Sequence, residues 1–484
     1  MEIVEIEKVD EVYVRINADP STKMELSDFF TFTVPGASFM PAVRNKVWDG
    51  KIRLFNAMTG MVYVGLVPYV QSFCAKRGYD VQHINDVYEL QTINDDAGYQ
   101  LAKEYDTPFE PRDYQNDAVV HALIHNRAMM LSPTASGKSF IIYLLTRYHM
   151  SENRRTLIIV PTTSLVHQMA SDFVEYNKGK QLNIHKIMSG ADKGVDADIT
   201  ITTWQSVYKL RKDWFAKYDV VVGDEAHLFK SKSMTSIMTK LIGCKYRYGF
   251  TGTLDGTQTH KLVLEGLFGA VYEVTKTQKL IQEKTLAEFG IKAIILEYPE
   301  ETRKLVKGKS YQDEIDWIVT NEKRNKFIRN LAWSLPGNTL ILFQFVEKHG
   351  RVLHPMLEED GRSVHFVHGA VKGEDRENIR HMVENSDDNI ILASYGTFST
   401  GVNITRLDNI IFASPSKSKI RNLQSIGRVL RKGKDKDEAT LYDIVDDLKY
   451  KSNENFAVQH FKERINIYSD EGFDYKIYNV KIKG

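Results

Sequence analysis

The period of the hydrophobic positions along this chain changes near residue 105. Downstream, short runs of β-branched and aliphatic residues alternate with stretches in which apolar positions recur every three to four residues. That alternation is the pattern of strands separated by helices, and it predicts parallel sheets covered by helices. Strands are expected at 128–131, 156–160, 199–203, 220–222 and 248–251 in one series, and at 339–345, 364–367, 390–393, 410–413 and 440–445 in a second. A charged interruption at 276–326 separates the series; it holds one more strand pattern, 292–297, and the polar run KLVKGKSYQDE. Residues 1–104 read differently, with short alternating segments, the aromatic cluster DFFTFTV and a turn-rich exit at INDDAGYQ. They predict a small α+β domain and a linker. The expected organisation is an N-terminal domain at 1–104 followed by two tandem α/β lobes at 105–285 and 286–484.

Composition changes this picture little, since 42% apolar and 26% charged residues over 484 positions describe an ordinary multidomain globular chain. The net charge of +1 carries no general basic excess, so any site for a polyanion must be a local patch. One candidate is 417–436, where Lys419, Arg421, Arg428, Arg431, Lys432 and Lys434 crowd together; the other reading of that stretch is a solvated basic face. Cys74 and Cys244 are too few for a disulfide framework or a four-cysteine zinc site, and a reducing, cytoplasmic setting is expected. The first residues, MEIVEIEKVDEVYV, lack the apolar core of a signal peptide. No apolar run reaches the roughly 20 residues that span a bilayer, and no membrane partner is expected.

Chemistry enters at Ser132-Pro133-Thr134-Ala135-Ser136-Gly137-Lys138-Ser139, which follows a strand pattern and precedes the helical FIIYLLTRY. In that context it reads as a phosphate-binding loop, with backbone N–H groups cradling phosphates, Lys138 reaching the β- and γ-phosphates and the Ser139 hydroxyl holding Mg²⁺. Ser132 stands where the general pattern has its first glycine. Downstream, the apolar run Val220-Val221-Val222 ends in Gly223-Asp224-Glu225-Ala226-His227, so two carboxylates emerge at a sheet edge. Asp224 is expected to hold Mg²⁺, and Glu225 to polarise the attacking water or accept its proton.

Further motifs follow in an order that resembles superfamily 2 helicases. Arg112-Asp113-Tyr114-Gln115 is similar to the family's adenine-reading motif, Pro161-Thr162-Thr163-Ser164-Leu165 with Gln168 to motif Ia, Thr203-Trp204-Gln205 to motif Ib, and Thr251-Gly252-Thr253 to motif III. In the second lobe, Ser394-Tyr395-Gly396-Thr397-Phe398-Ser399-Thr400-Gly401-Val402-Asn403 resembles motif V, and Gln424-Ser425-Ile426-Gly427-Arg428-Val429-Leu430-Arg431 resembles motif VI. The resemblance implies two RecA-like lobes and ATP hydrolysis. ATP would be bound by Arg112, Gln115, Pro133, Thr134, Ala135, Ser136, Gly137, Lys138, Ser139, Gly401 and Asn403, with Arg428 and Arg431 as catalytic guanidiniums facing the transferring phosphoryl group. It also implies one DNA strand running over both lobes, held by Thr162, Thr163, Thr203, Gln344, His368, Gly369 and Thr397 through phosphate contacts that carry no sequence information.

The segment FMPAVRNKVWDGKIRLFN, from Phe39 to Asn56, extends the likeness beyond the motor, because it resembles the N-terminal domain of the UvsW family of recombination helicases of T4-like phages. This implies a phage source, a host-cytoplasmic location and remodelling of branched DNA: fork regression and Holliday-junction branch migration in recombination, repair and replication. Arg44, Lys46, Lys51 and Arg53 surround Trp48, so phosphate attraction could combine with stacking on an end base pair; alternatively Trp48 anchors the core of the small domain. Other readings are a duplex translocase, an RNA helicase or a catalytically silent nucleic-acid clamp. Intact Lys138, Asp224, Glu225, Arg428 and Arg431 oppose the clamp.

Overall fold

The computed structural model describes residues 2–34, 36–254, 256–283, 286–359, 361–371, 373–397, 404, 406–414, 418, 426 and 438–482. Its N-terminal part contains β1 (Ile3–Lys8), β2 (Tyr13–Asn17), β3 (Thr31–Thr33), β4 (Lys51–Arg53), β5 (Phe55–Asn56), β6 (Met61–Tyr63) and β7 (Asp80–His83). Five of these form a mixed sheet in the order β5-β6-β2-β1-β7, whereas β3 and β4 pair separately as an antiparallel ribbon. Val4, Ile6, Val14 and Ile16 alternate inward from β1 and β2, as half-buried strands require.

The first lobe carries β8 (Arg127–Leu131), β9 (Thr156–Val160), β10 (Ile184–Ile187), β11 (Ile199–Thr203), β12 (Val220–Asp224), β13 (Tyr246–Thr251) and β14 (Val271–Glu273) in the order β10-β11-β9-β12-β13-β8-β14. Every pairing in this sheet is parallel. The expected strands of the first series are present; β10 and β14 were not anticipated, because the short IHKI and VYE segments show no alternation of their own. The second lobe, described by itself, has β15 (Glu288–Glu297), β16 (Thr339–Phe343), β17 (Val364–Val367), β18 (Ile390–Ser394), β19 (Asn409–Phe412), β20 (Glu438–Asp447) and β21 (Asp474–Lys481) in the order β17-β18-β16-β19-β20-β15-β21, again all parallel. The isolated pattern at 292–297 thus belongs inside this sheet, between β20 and β21. Two parallel sheets behind a small mixed-sheet domain make the expected RecA-like α/β architecture. Among the described residues no helix is long and apolar enough to cross a membrane.

The N-terminal strands do not enclose an independent core. Val4, Val14, Leu66 and Val70 belong to one hydrophobic cluster with Leu262, Leu264 and Leu267 of the first lobe. Backbones meet at Gly65, where an added Cβ would lie 1.9 Å from the Glu265 carbonyl oxygen, and the Tyr63 ring packs on Gly266, where an added Cβ would lie 2.8 Å from it. Polar groups fasten the same junction: Arg127 donates to the Glu11 carbonyl at 2.9 Å and its carboxylate at 3.1 Å, and the Glu11 N–H donates to the Ile242 carbonyl at 3.0 Å.

In the second lobe, β20 contributes two fully buried carboxylates, Asp443 and Asp446, three residues apart and so on opposite faces of the sheet. Arg464 donates to Asp443 at 2.8 Å on one side and Arg324 to Asp446 at 2.7 Å on the other, joined by the hydroxyls of Tyr468 and Tyr298 respectively. Arg324→Ala leaves the Asp446 carboxylate buried without its counter-charge, and the expected loss of about 3–5 kcal/mol is read from chemical denaturation. Gly65→Ala is expected to destabilise by about 1–3 kcal/mol in the same measurement, because backbone rather than a yielding side chain blocks the new methyl. Gly243→Ala serves as the control, since its Cβ would meet nothing within 4 Å.

Candidate nucleotide and nucleic-acid site

Parallel strands release their C-terminal loops along one edge, so the motif-bearing ends of β8, β13, β12, β9 and β11 stand side by side in the first lobe. The loop after β8 begins with the Ser132 N–H donating to the Thr251 carbonyl at 2.8 Å, which ties the phosphate loop to the end of β13. Ser132 is fully buried and is not among the positive-φ residues, so the missing first glycine costs no strain here. Farther on, Ser136 closes the loop on itself by donating its hydroxyl to the Pro133 carbonyl at 2.7 Å, with Thr134 and Ala135 between them and Ala135 left-handed at φ 66°.

Gly137 has no substitute. It is left-handed at φ 80°, and an added Cβ would lie 2.3 Å from the side-chain nitrogen of Gln115. Gln115 is itself held by the Arg112 N–H, which donates to Gln115 Oε1 at 2.9 Å, while the Arg112 guanidinium donates to the Tyr114 hydroxyl at 2.8 Å. The adenine-type motif and the phosphate loop are therefore brought together. A cavity of about 590 Å³ is lined by Tyr99, Lys103, Phe109 and Glu110, the last two shortly ahead of Arg112 in the chain. Phe109 was not singled out in the sequence; it is half exposed and packs edge-on against Phe140 and Tyr176. Its signal was its place three residues ahead of Arg112, in PFEPRDYQ.

Lys138 and Ser139 open the helix Lys138–Ser151, where backbone N–H groups lack intrahelical partners. The Lys138 ammonium lies 3.5 Å from Glu225 Oε1. Asp224 is almost fully buried at the end of β12, and burial pushes its carboxyl up to about 6, with Lys138 opposing the shift and Glu225 adding to it. Glu225 is held in the left-handed region at φ 50°, ψ 50°, a conformation that costs a non-glycine residue energy and must be imposed by its surroundings. Its N–H donates to Asp224 Oδ1 at 3.0 Å, and its Oε2 lies 3.3 Å from His227 Nδ1. That same nitrogen is 2.9 Å from the Thr251 hydroxyl, linking the carboxylate pair to the third motif. The Ser139 hydroxyl is 2.9 Å from that of Tyr176. Asp224 and Ser139 offer hard oxygen donors, as Mg²⁺ requires. Among the described residues no group of three or more His, Cys, Asp or Glu side chains could hold a metal ion.

On the same edge, Thr162 caps the helix Thr163–Tyr176 by accepting from the Leu165 N–H at 3.4 Å, leaving Thr163 exposed at its first turn. Thr203 is buried, its hydroxyl 3.0 Å from that of Ser206. In the second lobe, Gln344, His368 with Gly369, and Thr397 follow β16, β17 and β18, which are neighbours in the sheet. Gln344 is exposed and its N–H donates to the Ser414 hydroxyl at 3.1 Å, whereas the Thr397 hydroxyl is buried 2.8 Å from that of Ser394. Gly401, Asn403, Arg428 and Arg431 lie outside the described residues.

In the N-terminal domain, the Trp48 ring nitrogen donates to the Lys51 carbonyl at 2.9 Å and so fastens the β3–β4 turn. Arg53 pairs with Asp49 at 2.5 Å, while Arg44, Lys46 and Lys51 are exposed. The large apolar side chains most open in this turn are Phe39 and Val47, at 75% and 81% exposure. Trp48 was legible as the aromatic of this segment, but its indole N–H serves the turn and Phe39 presents the free ring.

Residues 4–84 match the family described as DNA helicase UvsW, N-terminal; residues 108–256 match Type III restriction enzyme, res subunit; and residues 322–433 match Helicase conserved C-terminal domain. The chain is 36% identical over 493 residues to the ATP-dependent DNA helicase uvsW of Enterobacteria phage T4, covering 97% of this chain and 98% of that protein. It is 25% identical over 392 residues to a DNA 3'-5' translocase of Sulfurisphaera tokodaii, covering 73% and 85% respectively. The crystal structure of T4 UvsW is similar with a TM-score of 0.52 at 35% identity, covering 99% of this chain and all of that one. With that identity sustained over nearly the whole of both chains, and with the N-terminal domain included, the chain belongs to the UvsW family of ATP-dependent superfamily 2 DNA helicases.

Proposed function

We propose that this helicase remodels branched DNA, its two lobes tracking one strand while the N-terminal domain engages duplex at the branch, as in fork regression and Holliday-junction branch migration. The observation that carries this reading is the β3–β4 turn, where Phe39 and Val47 stand in water among the exposed cations Arg44, Lys46 and Lys51. The cations attract phosphates, and an open aromatic face stacks on an end base pair regardless of sequence. Because this domain shares a core with the first lobe, force developed by the motor reaches the branch without passing through a flexible linker.

ATP turnover is assigned to the edge of the first sheet. Lys138 exchanges Glu225 for the β- and γ-phosphates, the loop N–H groups of 134–139 cradle them, and Gln115 with Arg112 and the open face of Phe109 receives the base. Glu225, released from Lys138, orients the attacking water and takes its proton, with His227 beside it. Asp224 and Ser139 would hold Mg²⁺, which supplies neutralising charge at the phosphates. Arg428 and Arg431 are assigned to the phosphoryl charge, and Thr162, Thr163, Thr203, Gln344, His368, Gly369 and Thr397 to the DNA backbone.

The deciding assay compares forked, Holliday-junction, linear duplex, single-stranded and RNA substrates in one ATP-dependent reaction. Preference for the branched DNAs is expected, and equal rates on linear duplex or RNA would defeat the reading. Lys138→Ala and Glu225→Gln are both expected to stop hydrolysis, but only the glutamine variant should retain ATP binding in an equilibrium titration. Phe39→Ala is expected to slow fork remodelling by about tenfold, equivalent to the ~1–3 kcal/mol of one base–aromatic stack. Its ATPase with single-stranded DNA should stay at the wild-type rate.

A further inference from the structure

The helix Gln258–Phe268 follows the Thr251-Gly252-Thr253 turn and touches the segments that flank the hydrolytic carboxylates at one set of positions and the N-terminal domain at another. Near its start, His260 is 3% exposed and its Nε2 lies 2.9 Å from the carbonyl oxygen of His227. A carbonyl only accepts, so Nε2 carries the proton and donates. This bond fixes the backbone two residues beyond Glu225, whose left-handed conformation needs such a restraint. At the helix end, the Phe268 ring packs edge-on against Phe229 at 5.2 Å and fills the space left by Gly223 and Gly249, where added Cβ atoms would lie 2.8 and 2.9 Å from it. Gly223 immediately precedes Asp224.

The same helix is gripped from the other side. Glu265, 4% exposed, accepts from the Tyr69 hydroxyl at 2.6 Å and from the Val271 N–H at 3.1 Å. About one and a half turns of helix separate His260 from this contact; Gly65 lets its backbone meet the Glu265 carbonyl directly, and Gly266 seats the Tyr63 ring against the helix.

We propose that His260 is a positioning residue for Glu225 and that the helix bearing it couples the N-terminal domain to hydrolysis, so that DNA seated on that domain raises turnover through Tyr69, Glu265 and His260. The coupling half rests on the proposed branch-binding role of the N-terminal domain; the His260 half does not. A displacement of the N-terminal domain moves Glu265 directly, and the intervening turn carries the movement to the His227 carbonyl and thus to the carboxylate two residues earlier.

The test uses the full chain and measures steady-state ATPase with single-stranded and with forked DNA, ATP KM, fork affinity and thermal midpoint. His260→Ala is expected to lower kcat by about tenfold on both DNAs while ATP KM and fork affinity hold. His260→Gln restores an N–H donor near the same place and is expected to recover most of that loss, which a role in packing alone would not allow. Tyr69→Phe is expected to keep fork affinity and the single-strand-stimulated rate but to lose the additional stimulation by forks. Wild-type kcat in His260→Ala, or equal defects in the alanine and glutamine variants, overturns the positioning role. Full fork stimulation in Tyr69→Phe overturns the coupling. If wild-type protein neither prefers nor responds to forks, the branch-binding reading fails and the coupling with it, whereas the two His260 variants still decide the positioning role.

Discussion

Parallel pairing of β8 with β13 and of β13 with β12 is the constraint on which the site depends. It forces the phosphate loop, Thr251 and Asp224 off one edge of one sheet, although more than ninety residues separate Leu131 from Asp224 in the chain. Once there, each group is held by its neighbours: Ser132 by the Thr251 carbonyl, His227 by the Thr251 hydroxyl, and Lys138 by Glu225. Burial at this edge raises the proton affinity of Asp224 and makes a nearby cation worth more than in water. A site so arranged is suited to binding a polyphosphate and its counter-ion, because attraction that water would screen is preserved.

The second consequence of close packing is that the N-terminal domain is part of the first lobe's core. Leu262, Leu264 and Leu267 share one buried cluster with Val4, Val14 and Leu66, and the fully buried Arg247 spends its donors on the carbonyls of Cys244, Met238, Leu241 and Leu267. Removing residues 1–104 would therefore open an apolar face on the motor, and single substitutions in the β3–β4 turn probe the domain more cleanly than truncation does. The second lobe is specified by a different device. Its strand β20 is pinned by one buried arginine–aspartate pair on each face, an arrangement that tolerates no shift in register, since a one-residue slip would bury both carboxylates away from their guanidiniums.

Periodicity and motif spacing by themselves determined the alternating α/β class, eleven strand positions, the phosphate loop, the carboxylate pair and the family likeness. These are local properties: a parallel strand buried on both faces must be a short apolar run, and a phosphate loop must sit between a strand and a helix. What only the tertiary structure decided depends on residues far apart in the chain. The two short strands β10 and β14 form because neighbouring strands offer them an edge. Gln115 meets Gly137, His260 meets the His227 carbonyl, and Tyr69 meets Glu265 across 196 positions, none of which leaves a mark in local pattern. Trp48 and Phe39 show the same limit on one segment: both are large and apolar in sequence, but only packing decides that the indole N–H closes a turn while the phenyl ring stays in water, because burial is a property of neighbours and not of residue type.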